Sequence, residues 1–93
     1  MTPPRPPFVP LGRTVATPAA LAAVSPPDIA VALRRYASGD WGEVDPDDRA
    51  ANDDALRSGE RLLSVYRSAN GSIFWVLTEA DRSATTVLLP DDY

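Results

Sequence analysis

Glu79, Asp81 and Arg82 sit in one short polar stretch, EADRS, between two apolar runs. Two carboxylates beside a guanidinium are residue types that acid–base chemistry uses, provided a pocket drives the carboxyl pKa values apart. A turn this short supplies a local Asp–Arg pair more readily than such a pocket, so the plainer reading is a charged hairpin loop. A larger concentration of acids lies upstream. Asp40, Glu43, Asp45, Asp47, Asp48, Asp53 and Asp54 share one segment with a single base, Arg49. That segment reads either as a solvated helix, with acids favoured in its first turn by the macrodipole, or as a binding surface. In the second case it would meet a basic groove by imitating nucleic-acid phosphates. Calcium does not fit, because Pro46 interrupts the EF-hand spacing and the required glycine and distal Glu are missing. Trp41 belongs to the same segment, enclosed by Gly39, Asp40 and Gly42. A tryptophan so placed packs over a core while the glycines supply positive φ, or, if partly exposed, anchors an interface.

The absences narrow the chemistry further. The chain has no cysteine, which removes disulfides, thiolate nucleophiles and sulfur ligands. It has no histidine, which removes the usual zinc ligand and the commonest acid–base group near neutral pH. No phosphate loop, dinucleotide fingerprint or metal spacing occurs, so neither a cofactor nor a metal is expected. Thirteen acids against nine bases leave a net charge of −4. Direct binding to nucleic acid is therefore not expected, because counterion release needs clustered positive charge. The apolar runs are too short to span a membrane, and five prolines in the first ten residues rule out an apolar leader there. The expected location is the cytoplasm and the expected partner is a protein.

Ninety-three residues fit one domain with one core. The opening MTPPRPPFVP lacks the amide protons that helix or central strand requires, so residues 1–10 read as a flexible polyproline-II-like arm. Phe8 and Val9 are its residues suited to tuck onto the body, and residues 11–93 form the single domain. Three helix starts share one local chemistry. Thr17-Pro18, Ser25-Pro26 and Asp45-Pro46 each set an oxygen-bearing cap before a proline at the first helical position. The predicted helices run from Pro18 to about Val24, Pro26 to about Ala37 and Pro46 to about Ser58. The last two stop before Gly39 and Gly59. Along the third, Arg49–Asp53 and Asp53–Arg57 have i,i+4 spacing for ion pairs.

From Arg61 the period shifts from 3.6 toward 2. RLLSVYRS and SIFWVLTE read as strands joined by Asn70-Gly71, the strongest short hairpin signal, which implies a two-residue type I′ turn. ATTVLL is the third strand, stopped by Pro90. The expected fold is α+β, with two to three short helices packed on a three-stranded antiparallel meander. Leu11–Ala16 is a candidate fourth, edge strand. Leu33, Tyr36, Leu63, Val65, Trp75, Val76, Leu77, Val87 and Leu89 are the expected core.

Four segments, LGRTVATPAAL, GDWGEVDPDDRAANDDAL, GERLLSVYR and WVLTEADRSATTVLLPDDY, carry a likeness to known sequences. Together they resemble a family of short uncharacterised prokaryotic proteins often encoded on plasmids, phages and other mobile elements. The likeness runs from Leu11 to Tyr93, and its most specific parts are GDWG and TEADRS followed by TT and LLP. The chain departs from it at Ala19, where a glycine is expected after Thr-Pro. The resemblance implies a genetic neighbourhood rich in small inhibitors of host defence, and no activity or site residue. Two functions follow as expectations. The first is a non-enzymatic interaction module, such as an anti-CRISPR or anti-restriction inhibitor, acting through Asp40, Trp41, Glu43, Asp45, Asp47, Asp48, Asp53 and Asp54. The alternative is a small enzyme or ligand-binding protein using Glu79, Asp81 and Arg82.

Overall fold

Capping decides where each helix begins. The Thr17 hydroxyl accepts the Ala20 amide at 3.1 Å, the Ser25 hydroxyl the Asp28 amide at 3.3 Å, and the Asp45 carboxylate the Asp48 amide at 2.8 Å. In each case proline follows at the first helical position, where no amide is needed. The computed structural model describes residues 9–93, and the proposed arm up to Phe8 lies outside them. The body begins earlier than residue 11. Val9 is buried and its amide donates to the Ala37 carbonyl at 3.1 Å.

The elements follow in the order β1 (Arg13–Ala16), α1 (Pro18–Ala23), α2 (Pro26–Ala37), α3 (Pro46–Ser58), β2 (Leu62–Arg67), β3 (Ile73–Thr78) and β4 (Ala84–Leu88). A 3₁₀ turn, Pro90–Asp92, closes the chain. The coarse α+β class stands, but the sheet is mixed and four-stranded in the order β1-β4-β3-β2. The meander β2–β3–β4 is antiparallel, and β1 joins it parallel to β4, with Arg13 opposite Ala84 and Ala16 opposite Val87. A purely antiparallel sheet is thus corrected. The first and last strands can lie parallel because the whole intervening chain connects them.

The face packed beneath α1 and α2 carries Leu62, Ser64 and Tyr66 from β2, Phe74, Val76 and Thr78 from β3, and Thr85 and Val87 from β4, all buried. Ala20, Val24, Ala32, Tyr36 and Trp41 close onto them. This inverts the expected face of β2: Leu63 and Val65 are half-buried on the opposite side, as are Trp75 on β3 and, elsewhere, Leu33 and Leu89. Tyr36, Val76, Leu77 and Val87 are buried as expected. The inversion arises because LLSVYR is apolar on both faces, and the covered face is the one that contains a serine. That Ser64 hydroxyl has no hydrogen-bond partner among the described residues, whereas the other hydroxyls of the face are linked in a chain. The Tyr36 hydroxyl lies 2.7 Å from Thr78 Oγ1, which lies 2.8 Å from Thr85 Oγ1, which donates to the Leu11 carbonyl at 2.7 Å. Each hydroxyl has one proton, so the last donation sets the direction of the chain: Tyr36 donates to Thr78 and Thr78 to Thr85.

The β2–β3 connection also differs from its expectation. Gly71 has φ +88°, but Asn70 does not have positive φ, so the turn is not type I′. The Gly71 amide donates to Ser68 O at 2.9 Å and the Ser68 amide to Ser72 O at 2.9 Å. This is a three-residue loop, Ala69 to Gly71, with glycine at the left-handed position that completes it. The cause is external to the loop. Asn70 donates its carboxamide to Ala23 O, and Asp28 accepts the Ala69 amide, which docks the turn on the helices. Gly71→Val is therefore expected to cost about 1–2 kcal/mol through backbone strain alone, since open space surrounds the site. In a thermal scan each kcal/mol lowers the melting temperature of so small a domain by roughly 4–8 °C. An unchanged melt would contradict the left-handed conformation at 71.

Candidate functional site

The acidic segment divides into acids that build the fold and acids that face solvent. Asp40 holds Arg35 through both carboxylate oxygens, at 2.8 and 3.2 Å, and accepts the Gly42 amide at 3.1 Å. The Arg35 hydrogen bond holds the Asp40 carboxyl below the usual carboxylate range. The same guanidinium lies 5.2 Å from the Tyr66 ring centroid, and the Tyr66 hydroxyl donates to Asp40 O at 2.6 Å.

Trp41 is 2% exposed. Its ring meets Tyr36 edge-on at 5.4 Å, and its indole N–H donates to Asp53 Oδ1 at 2.9 Å. Of the two readings for a tryptophan in this loop, the core one applies, and it leaves no surface to anchor a partner. Asp53 is occupied by that indole, so neither of the i,i+4 pairs expected for it forms, and Arg57 pairs instead with Asp54. Gly42, at φ +75°, lets the chain run against β2, where a Cβ would stand 2.1 Å from the Val65 carbonyl oxygen. The Glu43 amide donates to that oxygen at 2.7 Å, and the Glu43 carboxylate takes both ends of the Arg67 guanidinium at 3.1 and 3.2 Å. Asp45 caps α3.

Asn52 completes this arrangement and was not singled out in the sequence. From the middle of α3 its carboxamide donates to Leu63 O at 2.8 Å and accepts the Leu63 amide at 3.2 Å. It acts as one residue of an additional strand. With Trp41 and Glu43 on Val65, it occupies the outer edge of β2, which would otherwise offer a free ladder. A signal was present: an amide amid alanine and aspartate is unfavourable inside a helix unless its side chain has a partner.

Asp47, Asp48 and Asp54 remain exposed on α3. Asp48 also borders a shallow hollow of about 150 Å³ with Val44, Ala51, Asn52, Leu63 and Val65.

Glu79, Asp81 and Arg82 do not converge on a cavity. Arg82, at φ +61°, donates to the carbonyls of Glu60 at 2.7 Å, Glu79 at 3.2 Å, Ala80 at 3.3 Å and Ala55 at 2.9 Å. It ties the end of α3 to the β3–β4 turn, and all these partners are carbonyls of the chain itself. Asp81 accepts the Ser83 amide at 2.9 Å, and its hydrogen bonds to Ser83 hold its carboxyl below the usual range. Among the described residues no group of three or more acids is placed to hold a metal ion, and no helix is long and apolar enough to cross a membrane. An apolar groove of about 280 Å³ is bordered by β1, α1 and α2.

Comparison with protein-family models, with curated proteins and with solved structures found no match to this chain.

Proposed function

We propose that this chain is a non-enzymatic interaction module that engages a basic protein surface through the outward acids of α3. The observation that carries the reading is the division of labour among the acids. Asp40, Glu43, Asp45 and Asp53 are held by Arg35, Arg67, the Asp48 amide and Trp41, whereas Asp47 and Asp48 have no basic partner among the described residues. Asp54 shares only an exposed ion pair with Arg57, which is worth little in water. A rigid helix bearing unneutralised carboxylates suits a groove built for phosphates. The resemblance to mobile-element proteins favours a CRISPR or restriction complex of the host as the owner of that groove. Arg82, bonded to four carbonyls of its own chain, supports the module over the small-enzyme alternative.

The test is a cleavage-protection assay with the host's CRISPR and restriction complexes, comparing the parent with the combined variant Asp47→Arg, Asp48→Arg and Asp54→Arg. The parent is expected to protect the DNA, less so as salt rises, because exposed charges are screened within about 8–10 Å. The variant is expected to lose protection. It should still fold, since exposed substitutions change stability by under about 0.5 kcal/mol each, with a further small cost for reversing charge at the start of α3. Full protection by a folded triple variant would refute the acidic-surface reading.

A further inference from the structure

The two edges of the sheet are treated differently. The β2 edge is occupied by Asn52, Trp41 and Glu43. At the other edge, the Arg13 amide donates to Ser83 O, just before β4, at 3.0 Å, and the Thr17 amide to Val87 O of β4 at 2.9 Å. Strand alternation then turns the amides and carbonyls of Thr14 and Ala16 away from β4, and neither is bonded to another described residue. Beside this bare edge, Val15 is 42% exposed and Leu21, on α1, 58%. Both line the 280 Å³ groove, which continues onto Ile29 and Leu33 of α2.

We propose that β1 pairs with β1 of a second copy, antiparallel across a two-fold axis at Val15, to make one continuous sheet. Three observations select a second copy over another extended peptide. The first is register. With Val15 opposite the partner's Val15, Thr14 faces the partner's Ala16, and these are the residues whose backbone groups point outward. They exchange both hydrogen bonds, and the two exposed valines meet as a close non-hydrogen-bonded pair on one face.

The second is charge at that register. Arg13 falls opposite the partner's Thr17 and on the same face. Within one chain, the Thr17 hydroxyl donates to Asp92 Oδ2 at 2.6 Å. Arg13 makes no ion pair among the described residues, and the pairing brings it beside the partner's Asp92. The third is the distribution of acids. All thirteen lie at or beyond Asp28. β1 therefore brings no acid of its own to the axis, and the nearby Asp92 faces the partner's Arg13 and not a like charge.

Sedimentation velocity and light scattering of the full chain over a concentration series test this. The expected mass is twice the 10.0 kDa of one chain, with dissociation on dilution. Val15→Lys sets like charges face to face at the axis and is expected to raise the dimer Kd roughly tenfold or more. Thr14→Pro removes one outward amide without touching the β1–β4 ladder, and it is expected to give a folded monomer. Arg13→Asp is expected to weaken the dimer, most strongly at low salt. A parent that stays monomeric at its solubility limit overturns the proposal. So does a dimer unaffected by Val15→Lys and Arg13→Asp. A monomeric parent whose β1 pairs instead with an extended segment of another protein also overturns it.

Discussion

Trp41→Ala is expected to take away a large share of the domain's stability and to raise its unfolded population markedly at physiological temperature. The side chain is 2% exposed, so its removal deletes a large buried apolar volume, and such aromatic truncations cost about 3–5 kcal/mol. Two further losses add to it. The edge-on contact with Tyr36 disappears, and Asp53 loses the indole N–H that holds α3 to the loop after α2. The neighbouring Gly42 cannot compensate by moving, because the loop there runs directly against the Val65 carbonyl. A domain of this size has about 5–10 kcal/mol in total, so a cost near the upper end leaves little. Urea titration followed by tryptophan fluorescence, with Trp75 as the remaining probe, measures the change. Trp41→Phe, which keeps an aromatic ring against Tyr36 but loses the hydrogen bond and part of the buried volume, should fall between parent and alanine variant. A fully stable Trp41→Ala would mean that the ring lies at the surface and is available to a partner.

The second large effect is expected along the buried hydroxyl chain. Thr78→Val keeps the volume and removes the link that accepts from Tyr36 and donates to Thr85. The Tyr36 proton is left with only the Leu62 carbonyl, at 3.4 Å, and the expected cost is about 1–3 kcal/mol. Tyr36→Phe removes the donor instead. Because both variants break the same bond, their costs should not add, and a double-mutant cycle should return a coupling of about 0.5–3 kcal/mol. Simple additivity would mean that the chain is not connected as described.

The same phenol sets an alkaline limit. Burial raises the Tyr36 pKa to about 12. In the unfolded chain it ionises near pH ~10. Below that pH both states hold the proton and stability is unaffected. Between the two values the unfolded chain releases a proton that the fold retains, so stability falls as pH rises. Tyr36→Phe should flatten part of that slope. Part should remain, because burial raises the Tyr66 phenol as well.

Local chemistry determined much of this protein. The three proline-led caps placed α1, α2 and α3 within a residue or so, since capping depends only on nearest neighbours in the chain. The strands RLLSVYR, SIFWVLT and ATTVL, their antiparallel meander, and the burial of Tyr36 and Val76 were legible from local pattern as well. The acidic segment and Trp41 could be recognised as unusual, but not sorted into core and surface. That sorting belongs to the tertiary structure, because it depends on which side chain arrives from far along the chain. Asp40 is committed by Arg35 and Tyr66, Asp53 by Trp41, and Asn52 by the edge of β2. The choice of core face on β2 was likewise decided in three dimensions. Leu63 and Val65 are as apolar as Leu62 and Tyr66, and only the helices that cover one side distinguish them. Asn70-Gly71 encoded a turn, but docking against Ala23 and Asp28 selected the three-residue form. The parallel β1–β4 pair was least visible of all. Its hydrogen bonds join the two ends of the chain, and a ladder between residues so far apart leaves no periodic trace in either strand.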